Sequence, residues 1–407
     1  MDAWFQSEVT YPFVAQDVLD AADSVRASLP NKYCDPKIAA NLFDETIAEY
    51  LLCDDLGINI ACTEHHAGIN SLLASNPMLL SILASQTRKA RILSLGTLVS
   101  LRPDPVRIAE EYATADVLSR GRLEIGFVKS GLTEYASNQA NPIGNGDRYW
   151  EAIDLISKAL TYQDGPFSWE GKHFTHRHVN IWPRPYQQGL PRMWSATGDP
   201  STAADVGRRD MVNVLVLRGP EGTKQAFAAN RKARAAAGMP KATTDRFAYA
   251  ALMAVGDTHE EGVRLGSKLM WFLNTSLRSA PQFGPMMPGL APPHAAPSIY
   301  RTKPKPGATA MPGQAASAGA NAAALMSITA EQAMRRGILF AGSPDTVHKQ
   351  IMDFYDTVGG FDHLAMVGRS GFMTHGETTK SLKLIGKEIL PRLAEVKTVT
   401  AGFNQPD

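Results

Sequence analysis

The chain has 407 residues, 44% of them hydrophobic, and 41 basic against 40 acidic side chains leave a formal charge of +1. That length can bury a large core, as one big α/β barrel or two domains, and near-neutrality gives no basis for binding nucleic acid or an anionic membrane. Three cysteines (Cys34, Cys53, Cys62) are too few and wrongly spaced for a disulfide framework or a zinc knuckle.

No apolar run reaches membrane-spanning length, and the start Met1-Asp2-Ala3-Trp4-Phe5 lacks a basic region followed by an apolar one. A reducing cytoplasm is the simplest home. Met1 to Glu8 reads as a short first strand, and Tyr11 to Pro36, with turn residues at Pro30, Asn31 and Pro36, as a long first loop. Apolar residues at helical spacing from Ile38 to Leu56 predict a helix feeding a strand that opens at Gly57. That strand runs through Ile58-Asn59-Ile60-Ala61-Cys62-Thr63 and stops at Glu64-His65-His66. Asn76-Pro77 opens the next helix, and the basic pair Arg88-Lys89 suits its C-terminus.

Arg91 to Leu101 is the third strand, Val106 to Leu118 a helix, and Leu123 to Val128 the fourth strand. Each strand and helix together take roughly 30 residues, the size of a βα unit. Tyr149 to Leu160 is helical, and Phe167 to Arg184, rich in aromatic and basic residues, is expected to be an irregular excursion. Strands follow at Arg192 to Ala196, Met211 to Leu217 and Phe247 to Val255, with helices at Pro200 to Arg209, Gly222 to Ala237 and Thr258 to about Asn274 between and after them.

From Ala280 to Ala324 the chain turns to Pro, Gly, Ala and Ser, too poor in large apolar residues to make a core. It is either a linker or a lid over the site. A helix from Gly342-Ser343-Pro344-Asp345, an eighth strand at Phe361 to Val367 and a closing helix at Ser381 to Leu393 complete the chain. The expected fold is therefore a single (β/α)8 TIM barrel over 1–407, with the insertion 280–324 after strand seven.

Chemistry in such folds gathers at the C-terminal ends of strands. Glu64-His65-His66 ends strand two; adjacent side chains there point to opposite faces, so one imidazole reaches a central ligand or both sit in loop hydrogen bonds. His176-Arg177-His178 could project two rings from one side of a strand as a metal pair, or be a solvated surface. Thr197-Gly198-Asp199-Pro200-Ser201-Thr202 turns from strand five into a capped helix whose free N–H groups could hold an anion. Gly126-Phe127-Val128-Lys129-Ser130-Gly131 puts a cation at the end of strand four, where it could meet that anion. No metal site is expected.

In order and spacing, several pieces resemble the bacterial-luciferase-like flavin-dependent monooxygenases over nearly the full chain. They are Gly57…Glu64-His65-His66, Arg107-Ile108-Ala109-Glu110-Glu111, Asp116 to Arg122 running into Gly126, Asp147 to Ala152, Trp169 to Lys172, Thr197-Gly198 and Gly342 to Val347. The resemblance implies a mobile lid after strand seven, reduced FMN delivered by a separate flavin reductase, molecular oxygen, a flavin peroxide intermediate and a homodimer. It places the catalytic histidine on His65, with Glu64 and His66 beside it. It places the ring-contacting backbone at Gly96-Thr97-Leu98, the position beside the flavin at Val128, phosphate binding on Lys129 and near Asp199, Ser201 and Thr202, and further cofactor binding on the strand-five turn Ala196, Thr197 and Gly198.

Two departures stand out. Lys129 replaces the family's planar arginine with a point charge. Asp199, where relatives carry serine, faces a phosphate or turns back to cap the helix through the N–H of Ser201 or Thr202. The cap is expected, and a serine in its place should then change flavin affinity little. Phe127, Trp194, Met253, Trp271, Phe283, Met286 and Met287 suggest either an apolar or aromatic pocket for a small organic substrate or ordinary core residues. A deazaflavin-dependent oxidoreductase and a silent flavin-binding relative stand as alternatives.

Overall fold

The computed structural model describes residues 1–407 except 65–67, 130–131, 139, 142–143, 198, 277, 279–325 and 403–407. The insertion expected at 280–324, with Phe283, Met286 and Met287, lies outside the described residues. So do His65, His66 and Gly198.

Eight parallel strands close a barrel: β1 Asp2–Ser7, β2 Asn59–Cys62, β3 Ile92–Thr97, β4 Leu123–Val128, β5 Met193–Ala196, β6 Val212–Val216, β7 Phe247–Val255 and β8 His363–Arg369. Neighbours in the chain are neighbours in the ring, and β8 pairs with both β7 and β1. Strands of a parallel barrel are buried on both faces, so they read as near-continuous apolar runs. All nine residues of β7 are buried, as are all six of β3 and of β4.

Inward side chains fill the bore. Trp4, Ala61, Leu93, Trp194, Val212, Val214, Ala248, Ala250 and Ala365 form one buried cluster. Trp4 and Trp194 meet edge to face at 5.2 Å, and Trp194 Nε1 donates to Glu124 Oε2 at 2.5 Å. Large rings therefore plug the bore, and chemistry is left to the strand ends.

The helices begin as the sequence directs. Asp35 caps α1 (Pro36–Leu56) by accepting from the Lys37 N–H at 2.8 Å, and Gly57 ends it at φ +76°, a left-handed turn that favours glycine. Asp104 caps α3 (Pro105–Ser119) through the N–H groups of Val106 and Arg107. Helix α2 spans Asn76–Gln86. The Asp116…Arg122 motif is a structural joint: Asp116 accepts from Gln187, and Arg122 donates to the Thr87 and Ala90 carbonyls beyond α2.

Five expectations need correction. The excursion at 167–184 contains an antiparallel hairpin, Phe167–Glu170 with Thr175–Val179. Its turn is held by α4 (Asn145–Thr161), where Glu151 accepts from the His173 and Phe174 N–H groups and from Trp169 Nε1. Arg88 and Lys89 lie past the end of α2, and their N–H groups, with that of Ala90, bind the Asp54 carboxylate. The first loop holds a short helix, Gln16–Ala21. An extra strand, Leu339–Gly342, pairs with Leu252–Val255 of β7 beyond the point where β6 ends. Helix His375–Leu384 starts six residues before the closing helix expected at Ser381, and a π-turn at Ile385–Ile389 separates it from the last short helix, Leu390–Ala394.

Candidate active site

The C-terminal ends of β3 and β4 approach closely because glycine lets them, and β5 lies beside β4. A Cβ on Gly96 would meet Val128 Cγ1 at 2.9 Å and the Gly126 carbonyl oxygen at 3.1 Å. Just beyond this contact Leu98, Leu101, Val128 and Tyr135 form a small apolar cluster, with Ala140 and Ala196 packed against it. The result is an apolar shelf at the barrel mouth.

Polar groups stand beside it. Helix α5 (Pro200–Arg208) follows β5, and Asp199 is its N-cap. Asp199 Oδ1 accepts from the Thr202 N–H at 2.8 Å and from Ser201 Oγ at 2.5 Å, while Oδ2 accepts from Thr202 Oγ1 at 2.7 Å. Lys129 Nζ, from the end of β4, donates to Thr202 Oγ1 at 2.8 Å and lies 5.6 Å from the Tyr149 ring centre. Thr197 Oγ1 bridges the turn by donating to the Asp199 carbonyl and accepting from the Asp199 N–H.

Burial pulls the Lys129 ammonium below its ordinary pKa, opposed by Asp199 and Asp205. Burial also disfavours the Asp199 carboxylate, but the hydrogen bonds of Ser201 and Thr202, together with Lys129, outweigh it and hold that carboxyl below the usual range. The cap expected from sequence is therefore present, on Thr202, and it is joined to Lys129 through one hydroxyl.

At the end of β2, Glu64 turns toward β3. Its buried carboxyl lies beside Thr97 and Leu98 and is raised to about 7, chiefly by burial. Thr97 Oγ1 accepts in turn from Tyr112 OH at 2.7 Å, and Asn76 Nδ2 donates to Ser94 Oγ at 2.7 Å. Arg102 pairs with Glu111 at 2.6 Å and lies 3.9 Å from Glu64. This network braces the backbone of Gly96-Thr97-Leu98 from behind.

Of the residues picked from sequence, Gly96, Leu98, Val128, Lys129, Ala196, Thr197, Asp199, Ser201 and Thr202 gather at one mouth, with Glu64 and Thr97 in the brace behind it. Sequence reasoning missed Leu101, Tyr135, Tyr149 and Arg102; the Arg102-Pro103-Asp104-Pro105 stretch reads only as a strand end. It also missed an ion pair between Arg26 and Glu134 at 3.6 Å, which joins the loops after β1 and β4. Of the two readings left open for the apolar residues, the structure shows core packing: Phe127 packs near Tyr112, Trp194 fills the bore, and Met253 and Trp271 belong to the buried core. His176 lies on the hairpin, 4.0 Å from Asp104, and among the described residues no group of three His, Cys, Asp or Glu side chains could hold a metal.

A closed parallel barrel with polar groups collected at its strand ends defines a (β/α)8 barrel of the kind that houses enzyme sites. Residues 32–360 match the luciferase-like monooxygenase family model, and the chain belongs to that family. It is 29% identical over 173 residues to the oxygenase component of the flavin-dependent trigonelline monooxygenase of Acinetobacter baylyi, covering 41% of this chain and 47% of that one. The chain spans about half the length of the curated relatives it matches.

In fold it is similar to the oxygenating constituent of 3,6-diketocamphane monooxygenase from Pseudomonas putida, solved in complex with FMN. The TM-score is 0.68 at 18% identity, over 96% of this chain and 98% of that one. It is also similar to an F420-dependent secondary alcohol dehydrogenase in complex with an F420-acetone adduct, with a TM-score of 0.62 at 13% identity, over 96% and 99% of the two chains. Among the described residues no helix is long and apolar enough to cross a membrane.

Proposed function

We propose that this chain is the oxygenase component of a two-component system, taking reduced FMN from a separate flavin reductase and using molecular oxygen on a small organic substrate. The observation that carries the reading is the adjacency of an apolar shelf and a cation–hydroxyl cluster at one barrel mouth. A flavin mononucleotide has that same pairing of a flat ring and a phosphate. Leu98, Val128 and Ala196 would face the ring, and Lys129 with the start of α5 would face the phosphate.

Reduced flavin, when bound, supplies the electrons and the oxygen activation. The chain's own residues position, exclude water and handle protons. Glu64 is assigned a positioning role, since it is buried beside β3 with Arg102 3.9 Å away. His65 is the proposed proton-handling group, because imidazole titrates near neutral pH. The homodimer implied by the resemblance belongs to the same proposal, and light scattering tests it.

Oxygen uptake with a flavin reductase, NADH and a panel of aldehydes, ketones and terpenes is the test. Substrate-dependent uptake with oxygenated product supports the reading. The second reading, hydride transfer with a deazaflavin, draws on the F420-dependent dehydrogenase of the same fold; turnover with reduced deazaflavin and no oxygen uptake favours it. Flavin binding without any turnover favours a silent relative.

A further inference from the structure

We infer that the Asp199 carboxylate occupies the anion position at the start of α5 and competes there with the phosphate of a flavin mononucleotide, so that the phosphate adds little to binding. The inference rests on the flavin reading proposed above. It concerns how this chain departs from a simple phosphate site.

Its basis is a count of donors. A hydroxyl has one O–H to give. Ser201 gives its own to Asp199 Oδ1, and Thr202 gives its own to Asp199 Oδ2. The Thr202 N–H, a first-turn donor that the helix itself leaves free, also goes to Oδ1. Lys129 Nζ joins the same chain through Thr202 Oγ1. Hydroxyls, a first-turn amide and a cation are the donors a phosphate at a helix N-terminus would use. Here they converge on a carboxylate that belongs to the chain.

An incoming phosphate has two routes, and both reduce its gain. It can turn Asp199 away and give up the cap, or it can settle beside a negative charge with only the remaining Lys129 N–H groups and backbone to receive it. A plain cap could be exchanged for serine without effect on flavin, as expected from sequence. The hydroxyl contacts change that expectation. Asp199→Ser keeps an oxygen for the cap, frees two O–H donors and removes the charge.

FMN and riboflavin differ only in the phosphate, so their affinity ratio isolates its contribution. Titrating both into the full chain and into Asp199→Ser, oxidised and then reduced without oxygen, decides the matter. The parent should bind FMN less than about ten-fold more tightly than riboflavin, and the variant should bind FMN about ten-fold or more tighter than the parent, with riboflavin unchanged. A parent ratio above that limit overturns the inference while leaving the flavin reading intact. So does an unchanged FMN affinity in a variant whose circular dichroism and Tm match the parent. If the variant does not fold, the parent ratio alone decides. Failure of both flavins to bind either protein overturns the flavin reading, and this inference with it.

Discussion

Arg102 Nη1 lies 3.9 Å from the Glu64 carboxylate, too far for a hydrogen bond, while Nη2 of the same guanidinium donates to Glu111 at 2.6 Å. One cation thus serves two carboxylates, and Glu64 has the smaller share. Burial is the largest influence on Glu64 and raises its carboxyl from 4.5 to about 7. Between those values the folded chain keeps a proton that the unfolded chain has released, so stability falls as pH rises through this window. The loss should approach about 3 kcal/mol once pH exceeds 7. Glu64→Gln has no such titration. Urea unfolding should show the variant gaining on the parent by about 2–3 kcal/mol between pH 4.5 and pH 8. A difference that does not move with pH would sink this account.

Removing the cation should act in the opposite sense. Arg102→Met leaves Glu64 and Glu111 facing each other in a mostly buried site. The cost should be about 2–4 kcal/mol at pH 8 and smaller at pH 5, where Glu64 takes up a proton. The loss should be partly relieved in the double variant with Glu64→Gln, giving a coupling above about 1 kcal/mol in a double-mutant cycle. Additive effects would mean the two side chains do not interact.

The barrel is legible in the sequence because strands buried on both faces leave long apolar runs, such as Phe247–Val255, that surface structure cannot mimic. The meeting of Lys129 with Thr202 is legible for a related reason, since both sit just past the ends of neighbouring strands. The hairpin at Phe167–Val179 was hidden because its strands are only four and five residues long and mostly exposed, with apolar alternation confined to Phe167-Ser168-Trp169-Glu170. Leu339–Gly342 is only four residues long, below what a periodicity can distinguish. The placement of Glu64 beside β3 was hidden differently. The motif Glu64-His65-His66 gives no direction for its side chain, which depends on how β2 and β3 lie against each other.

The hairpin's anchor offers a structural test away from the mouth. A Cβ on Gly171 would overlap Glu151 Oε1 and lie 2.6 Å from Trp169 Nε1. Gly171→Ala should therefore displace Glu151 from the N–H groups of His173 and Phe174. Leaving those donors without their carboxylate should cost about 1–3 kcal/mol. Hydrogen exchange should speed up at His173 and Phe174 first. Exchange unchanged at both amides would mean the turn tolerates the methyl group and that the glycine serves something else.

The remaining prediction concerns His65, which comes directly after the brace residue Glu64 in the chain and carries the proton-handling role in the proposed function. If that role is right, His65→Ala should leave the shelf and the Lys129 cluster in place, since proton handling is separate from holding the ring and the phosphate. Affinity for reduced FMN should then stay within about three-fold of the parent, under 1 kcal/mol. What should change is the fate of oxygen. Without a group to give or take a proton near neutral pH, transfer to substrate slows, typically by about 10²–10⁴-fold for a lost acid–base residue. Oxygen consumption continues, and the reducing equivalents emerge as hydrogen peroxide. Measuring oxygen uptake, product and peroxide in the same reaction separates the cases. A variant that couples oxygen to product as efficiently as the parent would make His65 a structural residue, and the proton would have to be handled elsewhere.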